Sequence, residues 1–198
     1  MVDEGPLVLP SPSLVVLVGP AGVGKTTWAR AQFAANQVVS SDDLRAAVGD
    51  GPHDLAASAD AFALVDEITS RRLERGLTTV IDSLALDSQQ RLRWRDLGRA
   101  AGVPVVAVAL TAEPTDIRAR NRSRPAEERV PDNVMRTQLA RWPSVLEALA
   151  AEGFDSVHIV GIDRQAALVP AHLARSRSAV GSSAAITAGA AANDRAPG

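Results

Sequence analysis

Gly19-Pro20-Ala21-Gly22-Val23-Gly24-Lys25-Thr26 is the stretch from which the rest of this chain can be read. It matches GxxxxGK[ST] in full, a loop whose backbone N–H groups cradle phosphate oxygens. Lys25 is the single lysine among 21 basic residues. Arginine serves every other basic position, so lysine stands only where a compact ammonium reaches the β- and γ-phosphates of a nucleotide. The flanks agree. Leu14 to Val18 is a short apolar run that reads as a buried strand, and Thr26 to Ala35 reads as the start of a helix. Strand, glycine loop and helix in that order are the setting this loop requires.

The chemistry follows from the residue types. Gly19, Gly22 and Gly24 let the backbone of the loop, Val23 included, curl close to an anion. The helix that follows points its unpaired donors and partial positive charge at the same place. Thr26 is suited to hold Mg²⁺ through its hydroxyl. Thr27 serves either the helix start or the α-phosphate. A nucleoside triphosphate is the implied ligand, with ATP and Mg²⁺ as the expected cofactors.

Bulk properties narrow the class. The chain has 198 residues, 46% of them apolar, enough for one domain with its own core. A net charge of −2 gives no global sign of a nucleic-acid or membrane partner. The absence of cysteine excludes disulfides, thiolate metal sites and cysteine nucleophiles. His53, His158 and His172 are scattered and show no zinc-binding spacing. No apolar run reaches the ~18 residues of a membrane span, and the acidic, Pro-rich start has no basic signal region. A cytoplasmic location without an obligate protein partner is expected.

Residues 1–12 read as a flexible arm, 13–174 as the folded domain, and 175–198, rich in Ala, Ser and Gly, as a disordered tail. Within the domain, strands are expected at 38–40, 77–81, 103–110 and 156–160, besides the first. Helices are expected at 44–48, 55–75, 88–101, 116–121 and 133–151. Short apolar strands separated by helices predict an α/β fold: a five-stranded parallel sheet with helices on both faces. Trp28 and Trp94 are expected to pack against that sheet. The stretch from Arg91 to Arg141 holds eleven arginines against six acids, and part of it reads as a solvated helix face.

Ligands of such sheets bind at the carboxyl ends of the strands. The second strand ends in Ser40-Ser41-Asp42-Asp43-Leu44-Arg45. Asp42 is therefore a candidate base for an acceptor hydroxyl, and Arg45, one turn later, a candidate anion-binding group. The same pattern also reads as an ordinary helix cap, with Asp43 the favoured capping residue. Asp82, ending the third strand, is a candidate Mg²⁺ carboxylate, with contact to the phosphate loop or the acceptor, or a plain turn role, as the alternatives. Arg118, Arg120, Arg122 and Arg124 fall within seven residues past the fourth strand. They read as an arginine-rich lid able to meet charge on a γ-phosphoryl group, or else as a solvated basic face.

Taken together, GPAGVGKTT (19–27), VSSDDLR (39–45), VIDS (80–83) and RARNRSR (118–124) resemble the P-loop polynucleotide 5′-kinase family. The likeness is to the kinase module of bacterial RNA-repair polynucleotide kinase-phosphatases and, more distantly, to phage polynucleotide kinase. It runs from about Leu14 to Val160. The resemblance implies a P-loop kinase fold and transfer of the ATP γ-phosphate to a 5′-OH RNA or DNA end. It implies that Lys25, Asp42, Arg45, Arg120 and Arg124 do the catalytic work, with Arg120 and Arg124 as the lid pair. Gly19, Gly22, Val23, Gly24, Lys25, Thr26 and Thr27 would bind ATP, and Thr26 with Asp82 would bind Mg²⁺. The chain departs from the family where Asp-Ala-Thr-Asn is replaced by Asp82-Ser83-Leu84-Ala85. That loss of a polar pair keeps open a kinase acting on a small hydroxylated molecule, and a nucleotide-binding regulator is the reading from another class. A GTPase switch is disfavoured, because guanine readout by Asn/Thr-Lys-x-Asp needs a second lysine.

Overall fold

Five short strands form one parallel sheet. The computed structural model describes residues 9–162; residues 1–8 of the expected arm, the end of the expected domain and the expected tail lie outside them. The strands are β1 (Leu14–Val18), β2 (Val38–Ser40), β3 (Thr79–Asp82), β4 (Val105–Thr111) and β5 (Ser156–Gly161). Their spatial order is β2-β3-β1-β4-β5. The phosphate-loop strand β1 is thus central, in register with β3 on one side and β4 on the other.

Every residue of β1 is fully buried, the mark of a strand covered on both faces. The period-two alternation divides its side chains. Val15 and Leu17 join Trp28 and Ala29 of α1 (Lys25–Gln32), Ile117 of α5 (Pro114–Arg122) and Met135 of α6 (Asp132–Ala151). Leu14, Val16 and Val18 join Val65 and Leu73 of α3 (Ser58–Glu74), Trp94 of α4 (Ser88–Ala100) and Trp142, Val145 and Leu149 of α6. Each fully buried side chain of this kind contributes about 1.5–3 kcal/mol. Gly98 lets α4 lie directly on β4: a Cβ there would sit 2.3 Å from Cγ2 of Val105.

Local chemistry shifts several expected boundaries. The helix after β2, α2, spans Ser41–Val48 rather than beginning at Leu44. Its cap is Ser40, whose Oγ accepts from the Asp43 N–H at 3.2 Å; Asp43 is not the cap, and both aspartates lie in the first turn. The expected helix 55–75 opens as a 3-10 turn, Leu55–Ala57, capped by Asp54. Trp28 and Trp94 are buried against the sheet, as expected. Among the described residues no helix is long and apolar enough to cross a membrane.

Candidate functional site

The sheet order sends the ends of β1, β2 and β3 to one place. There an open cleft of about 130 Å³ is lined by Ala21, Gly22, Gly24, Lys25, Thr26, Thr27, Ser41, Asp42, Asp82, Ser83, Leu84 and Arg124. Three separate sequence motifs contribute to it.

The loop between β1 and α1 is built to receive an anion. Gly22 and Gly24 adopt left-handed backbone (φ +78° and +112°) that a side chain would strain. Gly24 is the N-cap of α1 and supplies no side-chain cap. Among the described residues the N–H groups of Gly22, Gly24, Lys25 and Thr26 find no acceptor, so unsatisfied donors converge at the positive end of a helix. The rest of the loop is tied down. Gly19 N–H donates to Leu84 O at 3.1 Å, and Ala21 N–H to Oε1 of Gln138 on α6 at 2.9 Å.

Lys25 is 8% exposed. Its Nζ donates to the carbonyls of Gly19 (2.9 Å) and Pro20 (3.1 Å). Burial lowers its pKa to about 8, against the pull of Asp82 and Asp42; Arg124 pushes it further down. Asp82 is 4% exposed, and burial raises its pKa above the usual carboxylate range. Its Oδ2 accepts from Thr26 Oγ1 at 2.7 Å. A threonine hydroxyl and a carboxylate in contact are two hard oxygen donors, a fit for Mg²⁺, which takes few protein ligands and completes its shell with phosphate and water.

Asp42 and Arg45 are brought together, Arg45 Nη1 donating to Asp42 Oδ1 at 2.6 Å. The two differ in setting. The Arg45 side chain is 11% exposed and that of Asp42 68%. Arg45 also donates to Pro52 O (2.8 Å) and Ser58 Oγ (3.3 Å), so it is anchored behind the cleft while Asp42 lines it.

The arginine segment separates into three groups. Arg124 lines the cleft beside the loop. Arg120 does not. Its Nη1 donates to Val23 O at 2.9 Å and its Nη2 to Ile162 O at 3.1 Å, which clamps the phosphate loop from outside. The expected lid pair is thus divided in this structure: Arg124 lines the cleft, and Arg120 is held by the carbonyls of Val23 and Ile162. Arg118 and Arg122 point away and, with Arg136, line a separate cavity of about 300 Å³. Asn121 is buried and staples this segment by exchanging hydrogen bonds with the backbone of Val130 (2.8 and 3.0 Å).

Sequence reasoning missed Gln138, which no motif marks, and Arg91. Arg91 is not part of a solvated face. It is 1% exposed and paired with Glu152, which is 8% exposed. No group of three or more His, Cys, Asp or Glu able to hold a metal occurs among the described residues.

The family model described as AAA domain matches residues 14–149. Several solved structures share the architecture. Kti12 from Chaetomium thermophilum, in complex with ADP-AlF3, is 20% identical, with 84% of this chain and 98% of that one covered at a TM-score of 0.59. A candidate kinase from Chloroflexus aurantiacus is 16% identical, with 86% and 98% covered at 0.57. A sugar kinase from Janibacter sp. HTCC2649 is 21% identical, with 77% and 86% covered at 0.51. At such identities the likeness is one of fold: a five-stranded parallel α/β sheet of the P-loop kinase kind. No curated protein matches the sequence.

Proposed function

From the premise that this chain belongs to the AAA domain family, over residues 14–149, we propose that it is an ATP-dependent phosphotransferase whose acceptor is the 5′-OH end of a polynucleotide. The observation that carries the reading is the meeting of Lys25, Thr26, Asp82 and the exposed carboxylate of Asp42 in one cleft. Binding alone has no use for Asp42. It lines the cleft from α2, and in this reading the second substrate enters on that side.

In this reading the N–H groups of the loop and the Lys25 ammonium hold the triphosphate, with Lys25 leaving the carbonyls of Gly19 and Pro20. Thr26 and Asp82 would hold Mg²⁺, which when bound neutralises charge on the phosphate oxygens. Asp42, oriented by Arg45, accepts the proton of the acceptor hydroxyl. The hydroxyl oxygen forms a bond to the γ-phosphorus as the bond to the β,γ-bridging oxygen breaks, and ADP leaves. Arg124 stabilises charge on the moving phosphoryl group. Arg120 contributes at one remove, by fixing Val23 and with it the loop. Support for the donor half comes from the fold, which in Kti12 binds ADP-AlF3.

A second reading, a small hydroxylated acceptor, has a specific observation in its favour. The polar pair of the resembling family is replaced here by Leu84 and Ala85, so the polar groups expected beside a polynucleotide end are missing. Incubation with Mg²⁺, γ-labelled ATP and either 5′-OH oligonucleotides or a panel of small alcohols separates the two. Label on the oligonucleotide supports the first reading; label on a small alcohol alone replaces it with the second. ATP binding with no transfer to either leaves a nucleotide-binding regulator.

A further inference from the structure

Ser83-Leu84-Ala85 leaves the end of β3 in an unusual conformation. Ala85 has φ +49°, the one non-glycine residue with left-handed backbone among the described residues. Such a conformation persists in a residue with a Cβ only where the surroundings hold it. Here they do so from both sides. Ser83 Oγ accepts from the Ala85 N–H at 3.1 Å. The Ala85 carbonyl accepts from Arg91 Nη1 at 2.7 Å. Arg91 is itself locked, its Nε donating to Glu152 Oε2 at 2.7 Å and its Nη2 to Glu152 Oε1. A planar guanidinium gripped by two carboxylate oxygens has little freedom to re-aim.

One residue earlier, the Leu84 carbonyl takes the Gly19 N–H of the phosphate loop. The backbone of Leu84 is thus pinned on one side by the nucleotide cradle and on the other by the buried pair. Its side chain is left 38% exposed in the cleft wall. Among the residues lining that cleft, only Leu84 and Ala21 carry apolar side chains, and Leu84 is far the larger. An isolated exposed leucine needs no explanation. One aimed into a polar cleft by a strained, doubly anchored loop does.

We propose that Leu84 is a specificity-determining residue for the acceptor, packing against the ring face of the nucleotide that carries the accepting hydroxyl. Arg91, through Glu152 and the Ala85 carbonyl, is the positioning residue that keeps it there. The inference rests on the phosphotransfer reading for its substrate class. An apolar platform beside Asp42 favours an acceptor with a flat, weakly hydrated face over a flexible polyol, a discrimination of the size that one hydrophobic contact gives.

The test compares the wild type with Leu84→Asn, a polar replacement of similar shape, and Leu84→Met, which restores the apolar surface. With a 5′-OH oligonucleotide as acceptor, Leu84→Asn should raise its KM about tenfold while kcat and the ATP KM stay within about twofold. Leu84→Met should return KM to the wild-type value. The paired change Arg91→Met with Glu152→Leu keeps an apolar match in the core and should raise the acceptor KM in the same way. An unchanged acceptor KM in Leu84→Asn, or equal loss of ATP affinity, overturns the proposal. Anisotropy of the same labelled oligonucleotide on protein loaded with a non-hydrolysable ATP analogue separates this from the function itself. Binding weakened by Leu84→Asn without any transfer would sink the phosphotransfer reading and leave the platform standing. Transfer with binding insensitive to Leu84 would do the reverse. No oligonucleotide binding to the wild type sinks both.

Discussion

Two sets of buried charges lie on either side of the Ser83–Ala85 loop, and they are treated differently. Arg91 and Glu152 are buried together and satisfy each other. Lys25 and Asp82 share a cleft, yet among the described residues Lys25 forms no ion pair and settles for the carbonyls of Gly19 and Pro20. Burial pushes both groups of the cleft toward neutrality, Lys25 down to about 8 and Asp82 above its ordinary value. The first set is complete as it stands. The second is incomplete as it stands, and in the proposed reading a triphosphate with its metal would supply the missing negative and positive charge. A buried group strained toward neutrality in a cleft marks a site; a buried pair that is fully bonded marks architecture.

The comparison can be broken by substitution. Lys25→Met should lower kcat/KM for transfer by about a thousandfold or more, since it removes a donor aimed at the phosphates, while the melting temperature of the free protein barely falls. An equal loss of fold and activity would place Lys25 with the architectural pair. Asp42→Ala should lower kcat by about a hundred- to ten-thousandfold with ATP affinity intact. Transfer at the native rate would remove Asp42 from the chemistry. Arg91→Met or Glu152→Gln should cost about 3–5 kcal/mol of stability, because each leaves one buried charge alone. The double change Arg91→Met with Glu152→Leu should recover most of it, as chemical denaturation would report.

Smaller effects sharpen the contrast. The folded pKa of Lys25 lies below its unfolded value, so between about 8 and 10.5 the unfolded chain binds more protons. This residue therefore makes stability rise with pH across that window, whereas nucleotide affinity should fall as the ammonium is lost. Comparing wild type with Lys25→Met by melting and by ATP titration from pH 7 to 10 checks both signs. Asp82 has the opposite sense. Its raised pKa means that the folded chain holds the extra proton just above the usual carboxylate range, so its contribution to stability falls with rising pH there. Asp82→Asn should raise the melting temperature of the free protein and weaken the Mg²⁺ dependence of ATP binding. A lowered melting temperature would count against an uncompensated charge.

How much of this could be read from the chain depends on how local each cause is. The phosphate loop is legible because its glycines, lysine and threonine act within eight consecutive positions. The Asp42–Arg45 contact is legible because it spans one helical turn. The parallel sheet follows from short apolar strands parted by helices, while its order, β2-β3-β1-β4-β5, does not. What the sequence hides is long-range. Arg91 looks like one more surface arginine until Glu152, 61 residues on, arrives beside it. The donations of Arg120 to the carbonyls of Val23 and Ile162 span 97 and 42 residues and leave no local mark. Ser40 takes the cap from Asp43 through the choice of where one helix begins, a matter of three residues.

The central claim is that the cleft charges await a triphosphate, and proton uptake tests it most directly. Calorimetric titration of Mg·ATP at pH 8.5, in buffers of differing ionisation enthalpy, reads protons gained on binding. With Lys25 near 8 in the free protein and fully charged against phosphate, the wild type should take up about three-quarters of a proton, and Lys25→Arg, always charged, none. Binding without uptake in the wild type, or the same uptake in Lys25→Arg, would contradict the account.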